Sequence, residues 1–147
     1  GAALGFAIFN VGGRIFLGDV GSYFLGFWLA AAAVVAVAGD VPVESVLAPF
    51  VLYLVDTSTT LVRRWRRGAD VREAHREHAY QRLNGTGLSH LSVSLIVAGI
   101  IAVSGAIGVA VFDASRPVRL AGLAVTVLLA GAFVAAPELV ARTRAAS

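Results

Sequence analysis

The sequence predicts an all-α, polytopic transmembrane fold, and three observations carry that prediction. The 147 residues are 58% hydrophobic and only 14% charged, against about 25% charged residues in an ordinary soluble domain. The mean hydropathy is +0.81. Several apolar runs are long enough, at about 1.5 Å per residue, to cross roughly 30 Å of hydrocarbon. All twelve basic residues are arginine, and the chain contains no Lys, Cys or Met. The lack of Cys removes disulfide and thiolate–metal chemistry. The pI near 10.2 invites a nucleic-acid reading. The arginines, however, concentrate in one loop, which is a pattern of membrane topology rather than of a DNA footprint, and no nucleic-acid partner is expected.

The elements follow in order. The chain opens on Gly-Ala-Ala-Leu, with no initiator Met and no basic segment ahead of an apolar one. That start is not the one expected of a signal peptide and is expected of the interior of a longer protein cut upstream. Gly1 to Phe9 is too short to span and reads as the end of a transmembrane helix. Asn10-Val11-Gly12-Gly13-Arg14 breaks it, with two glycines and a polar residue as turn signals. Ile15 to Asp19 leads into the next helix, and Val20 to Gly39 is an uncharged span. Asp40-Val41-Pro42-Val43-Glu44 is a short acidic turn.

Ser45 to Val62 is the following span, interrupted by Asp56. Arg63 to His90 is a polar loop. Leu91 to Phe112 spans again, Asp113 to Arg119 turns at Pro117, and Leu120 to Pro137 is the last span before Arg142 and Arg144. The expected architecture is therefore a fragment with about four full spans and part of another. Residues 1–147 read as a single membrane domain, with 63–90 as its His/Arg loop. The loop and the C-terminal tail both carry excess Arg and are separated by an even number of spans. The positive-inside rule puts both, and Asp19, in the cytoplasm, in a multi-pass protein of the bacterial cytoplasmic membrane.

Two polar clusters stand out from this frame. The first is Phe16-Leu17-Gly18-Asp19-Val20-Gly21-Ser22, where an aqueous segment meets a span. A carboxylate there can ligate Mg²⁺, which prefers oxygen donors and bridges to phosphate. Gly18 and Gly21 would let backbone approach a ligand, and a helix N-terminus offers N–H groups to phosphate. The plainer reading of Asp19 is a helix N-cap. The second cluster is His75-Arg76-Glu77-His78-Ala79-Tyr80-Gln81-Arg82-Leu83. His75 and His78 are three apart and would share a face on a helix. With Arg72, Arg76 and Arg82 nearby, an anionic ligand fits better than zinc, which would need more donors. The plainer reading is a solvated basic loop on anionic lipid heads. The two clusters are expected to face each other at one membrane surface.

Asp56 lies inside an apolar run, where an ionised carboxylate costs roughly 2.5–3.5 kcal/mol, so it is a functional candidate. The alternative is local satisfaction, with Arg63 two turns along the same helix face. Asn10 could hydrogen-bond a base or sugar and Phe16 could stack on a ring, although alone both read as structural. Phe24, Phe27 and Trp28 read as lipid-facing, and His90 as interfacial.

Taken together, the order of Asn10, FLGDVGS entering a span, Asp56 ahead of Arg63-Arg64, and HREHAYQRL in the next loop resembles one family. It is similar to the C-terminal half of the polyprenyl-phosphate N-acetylhexosamine-1-phosphate transferases. These include the translocase of the first peptidoglycan lipid intermediate and its relatives in O-antigen and teichoic-acid synthesis. The resemblance covers most of residues 1–90. It implies transfer of a sugar-1-phosphate from a UDP-sugar to polyprenyl phosphate, with release of UMP and dependence on Mg²⁺, or Mn²⁺ in its place. By the same resemblance Asp19 is the metal ligand, and Asp19 and His78 are catalytic. Asn10, Phe16, Gly18 and Ser22 would bind substrate in the first cluster. Asp56, Arg64, His75, Arg76 and Gln81 would do so in and before the loop. The bilayer is the expected surrounding, and a homodimer is compatible with the family.

This sequence departs from the family in two respects. The aspartate-rich motif is absent, since no two acidic residues are adjacent, and so is the family's Asn- and Asp-containing nucleotide segment. Both are expected upstream of Gly1, which would leave this piece inactive alone. The loop also lacks the consecutive histidines of the peptidoglycan translocase and looks more like the surface-polysaccharide branch. Two non-enzymatic alternatives stand beside this reading: a small-solute transporter with Asp19 and Asp56 on an ion path, and a structural protein whose arginines bind anionic lipid.

Overall fold

A computed structural model describes residues 2–11, 14–70, 73 and 76–145. Every regular element among them is helical. Four helices are long and apolar enough to cross a membrane: Gly18–Ala38, Val43–Arg66, His90–Ala110 and Arg116–Thr143. The chain divides into two compact units, Gly1–Asp40 and Val41–Ser147.

The first unit holds α1 (Ala2–Val11) and α2 (Gly18–Ala38). Between them the Asn10 side-chain amide donates to the Ile15 carbonyl at 3.0 Å, and Arg14 N–H donates to the Phe9 carbonyl at 3.1 Å. Gly18 opens α2 at φ +64°, a left-handed conformation that costs an ordinary residue about 1–2 kcal/mol. At its far end α2 stops in a turn whose Asp40 also has positive φ. Phe24, Phe27 and Trp28 are exposed, as a lipid-facing reading requires.

The second unit starts with α3 (Val43–Leu47), a 3₁₀ turn at Ala48–Phe50 and α4 (Val51–Arg66). Pro49 lies in the 3₁₀ turn, where its missing N–H is easily accommodated. Then come α5 (Ala79–Gly85), α6 (His90–Ala110) and α7 (Arg116–Ala145). Two expected boundaries move. The stretch from Arg63 to His90 is not all loop, because α4 continues through Arg66 and α5 forms within it. The last span does not end at Pro137, which is buried inside α7. A membrane helix tolerates proline where neighbouring groups take up the freed carbonyl.

The core lies where α4, α5, α6 and α7 meet, around Leu52, Ala79, Leu83, Val93, Ala130, Phe133 and Val134. The most deeply buried larger side chains are Thr60, Ser104 and Thr126 rather than large apolar ones. Lipid tails are as apolar as Leu, so spans associate through close packing of small and weakly polar residues. Gly108 shows how close: a Cβ there would stand 2.7 Å from the Ser45 carbonyl oxygen, which keeps α6 against α3. At the turn end, buried Glu44 pairs with Arg116 at 3.6 Å and Arg119 at 3.5 Å, joining α3 to α7.

Candidate active site

In the first unit, Asp19 lies in the first turn of α2, while Leu17 holds the N-cap position without a side-chain cap. The N-cap reading of Asp19 is thus corrected: the helix begins two residues earlier than a capping aspartate needs. Asp19 is exposed and has no hydrogen-bond or ion-pair partner among the described residues. Ser22 Oγ donates to the Gly18 carbonyl at 2.8 Å, and Phe16 is 82% exposed. Gly18 serves its own backbone turn, and a Cβ at Gly21 would meet the Leu17 side chain at 2.7 Å.

In the second unit, Asp56 is buried on α4 and both its oxygens are engaged. Oδ1 accepts the Ala79 N–H at 2.9 Å, and Oδ2 lies 3.1 Å from His78 Nδ1. The expected pairing of Asp56 with Arg63 is overturned, since Arg63 instead reaches Glu138 on α7 at 3.7 Å. The reason is tertiary. The start of α5 brings an orphan backbone N–H to Asp56, and a buried carboxylate takes it.

His78 is the N-cap of α5, with extended backbone. The shared helix face expected for His75 and His78 therefore fails at His78, which precedes the helix; His75 lies outside the described residues. Gln81 turns back so that its Oε1 accepts the His78 N–H at 3.2 Å, one half of a capping box. As a carboxylate, Asp56 can only accept, so Nδ1 carries the proton of that contact. The imidazole is one-quarter exposed and stacks on Tyr80 with centroids 6.0 Å apart.

Arg64 points inward. It is 5% exposed, donates from Nη1 to Glu77 Oε1 at 2.7 Å and reaches the Asp70 carbonyl with Nη2. Arg67 holds the other Glu77 oxygen. Hydrogen bonds from Arg67 and then Arg64 hold the Glu77 carboxyl below the usual carboxylate range. Arg76 is exposed and has no partner among the described residues. The sequence reading missed Glu77 and Arg67 as the clasp of this loop. The available signal was Glu77 as the one acid within HREHAYQRL, beside Arg76.

No group of three or more His, Cys, Asp or Glu residues near enough to hold a metal occurs among the described residues. A Mg²⁺ that keeps several waters and bridges to substrate phosphate needs only one or two protein carboxylates. Exposed, unpartnered Asp19 fits as one such ligand.

Residues 1–37 match the family model for Glycosyl transferase family 4. A decaprenyl-phosphate N-acetylglucosaminephosphotransferase of Mycolicibacterium smegmatis is 33% identical over 147 residues, covering 88% of this chain and 36% of that protein. This chain belongs to glycosyl transferase family 4. The enzyme of the same name from Mycobacterium tuberculosis is 35% identical over 120 residues, or 69% of this chain and 30% of the relative. A probable undecaprenyl-phosphate N-acetylglucosaminyl 1-phosphate transferase of Bacillus subtilis is 28% identical over 100 residues, or 65% and 28%. The family 4 chain thus spans about a third of the length of the curated relatives it matches. No solved structure matches it. Its four membrane-length helices make it a multi-pass membrane protein.

Proposed function

We propose that the protein containing this chain transfers an N-acetylhexosamine-1-phosphate from a UDP-sugar to polyprenyl phosphate in cell-wall or surface-polysaccharide synthesis. In that reaction an oxygen of the lipid phosphate attacks the β-phosphorus of the UDP-sugar. The bond from that phosphorus to the bridging oxygen breaks, UMP leaves, and a polyprenyl-diphosphate sugar remains. The observation that carries the reading is the imidazole of His78, held by Asp56 from within a membrane-length helix whose last turn carries arginines. Phosphoryl transfer depends mostly on positioning and on cations around developing negative charge.

Each residue then has a role. Asp19 would hold Mg²⁺, which would supply positive charge to the diphosphate. His78 meets a phosphoryl oxygen through its imidazole. Asp56 sets the orientation of His78, Gln81 fixes its backbone, and Arg64 holds the loop through Glu77. Arg76 and His75 are assigned to the nucleotide-sugar. Asn10, Phe16, Gly18 and Ser22 are assigned to the uridine side. The arginine-rich loop is placed in the cytoplasm of a bacterium, where UDP-sugars are made.

The test is the reaction itself. Full-length protein in nanodiscs is given UDP-N-acetylhexosamines, polyprenyl phosphate and Mg²⁺. Release of UMP together with a lipid-diphosphate sugar supports the reading. Absence of UMP with every donor overturns it.

A further inference from the structure

Glu138 is the one acid of α7 and is half exposed. The segment before it, 120–137, carries no charge. Arg116, tied to Glu44 at the far end of α7, lies 22 residues earlier, or about 33 Å along the axis. That is close to the thickness of the hydrocarbon. Glu138 therefore sits where α7 leaves the apolar layer and reaches the arginines of α4 and α5. Two elements converge on one of its oxygens. Arg82 of α5 donates from Nη2 to Oε1 at 3.2 Å, and Arg63 of α4 lies 3.7 Å from the same oxygen. Arg82 meets no other acid among the described residues, and its Nη1 is buried there without a partner.

The contact matters because of what α5 carries. With seven residues, α5 is too short to hold its own place in isolation, so its neighbours decide its orientation. Its first turn is tied to α4, where Asp56 takes the Ala79 N–H and the His78 imidazole. Its apolar residues, Ala79 and Leu83, enter the core shared with Phe133 and Val134 of α7. Arg82 lies one turn after His78, and its N–H donates to the His78 carbonyl at 3.0 Å. A displacement of Arg82 is therefore passed to His78 through a single turn of helix. An ion pair this exposed contributes little to stability, so its effect lies in geometry.

We propose that Glu138 is a positioning residue for His78. By holding Arg82, with Arg63 beside it, Glu138 fixes the rotation of α5 on the core and so the placement of the imidazole. The last helix then acts on the site through α5 rather than on the substrate. The proposal rests on the transferase reading for the consequence of moving His78, and on the contacts from Glu138 through Arg82 to His78 for the movement itself.

The test compares full-length wild type and Glu138→Gln in nanodiscs. It reads turnover, melting temperature and the ¹⁵N signals of His78, identified by their loss in His78→Gln. In Glu138→Gln, kcat falls about tenfold, part of the roughly 10²-fold that a misplacement of about 1 Å can cost. The KM for the UDP-sugar is unchanged, the His78 signals shift, and the melting temperature stays at the wild-type value. Arg82→Gln gives the same pattern, and the double variant loses no more than either single one, because both break one contact. Additive losses would take Arg82 out of the route and overturn the proposal. A raised KM with wild-type kcat would move Glu138 to substrate binding and overturn it too. A lowered melting temperature with unmoved His78 signals would leave Glu138 a structural residue only. Wild-type kcat and unmoved His78 signals would remove the role altogether. Shifted His78 signals in a protein that releases no UMP with any donor would keep the positioning and sink the transferase reading instead.

Discussion

Asp19 and Asp56 carry the same carboxyl group on two membrane-length helices, in opposite environments. Asp19 is exposed in the first turn of α2 and has no partner among the described residues. Asp56 is buried on α4, and both its oxygens are taken, one by the Ala79 N–H and one by His78. A carboxylate with free lone pairs can take up a cation and the phosphate that comes with it. A buried carboxylate with both oxygens engaged is already part of the framework and acts through what it holds. The contrast separates an acid open to a ligand from an acid already engaged within the protein, which residue type alone does not do.

The largest expected effect breaks the Asp19 side of that contrast. Asp19→Asn in the full-length protein lowers Mg²⁺-dependent formation of lipid-diphosphate sugar by at least about 10²-fold, with no change in melting temperature. Wild-type turnover would remove Asp19 from the metal. The Asp56 side predicts the reverse pattern. Asp56→Ala leaves the buried Ala79 N–H unpaired and costs about 1–3 kcal/mol of stability, read as a lowered melting temperature in detergent. An unchanged melting curve would show that the pair is dispensable to the fold.

Asp56→Asn sharpens the comparison further. The Asn oxygen still accepts from Ala79, but its amide donates to His78 Nδ1 and drives the proton to Nε2. The chain has three histidines, so ¹⁵N-histidine spectra can follow the switch, and activity should fall while stability is largely kept. An unaltered His78 tautomer would refute the positioning role.

The smallest effect concerns Glu77. Its pKa lies below the ordinary 4.5 because of Arg67 and Arg64. A lowered folded-state pKa means that the stabilisation is present above the unfolded value and is lost as pH falls through the folded one. The melting-temperature difference between wild type and Glu77→Gln should therefore be full above pH 4.5 and close on acidification below it. A difference independent of pH would show that the clasp does not act through its charge.

Much of this was legible along the chain. The spans were, because hydropathy summed over about twenty residues is a local property that needs no partner. FLGDVGS and HREHAYQRL stood out because polar residues are costly beside hydrocarbon and need a reason to be there. Asp56 stood out for the same reason. Its partner did not: Arg63, seven residues on, looked adequate, whereas His78 lies 22 residues away.

Sequence order was enough to set the helical membrane frame, the placement of charge at its ends and the family resemblance. Tertiary packing decided which polar groups meet. Each step along a helix turns a side chain by about 100°, so Arg63, Arg64, Arg66 and Arg67 look alike when read in line. Once α5 and α7 pack against α4, they part: Arg64 closes on the loop, Arg63 and Arg67 take acids beside it, and Arg66 is left facing an open cleft.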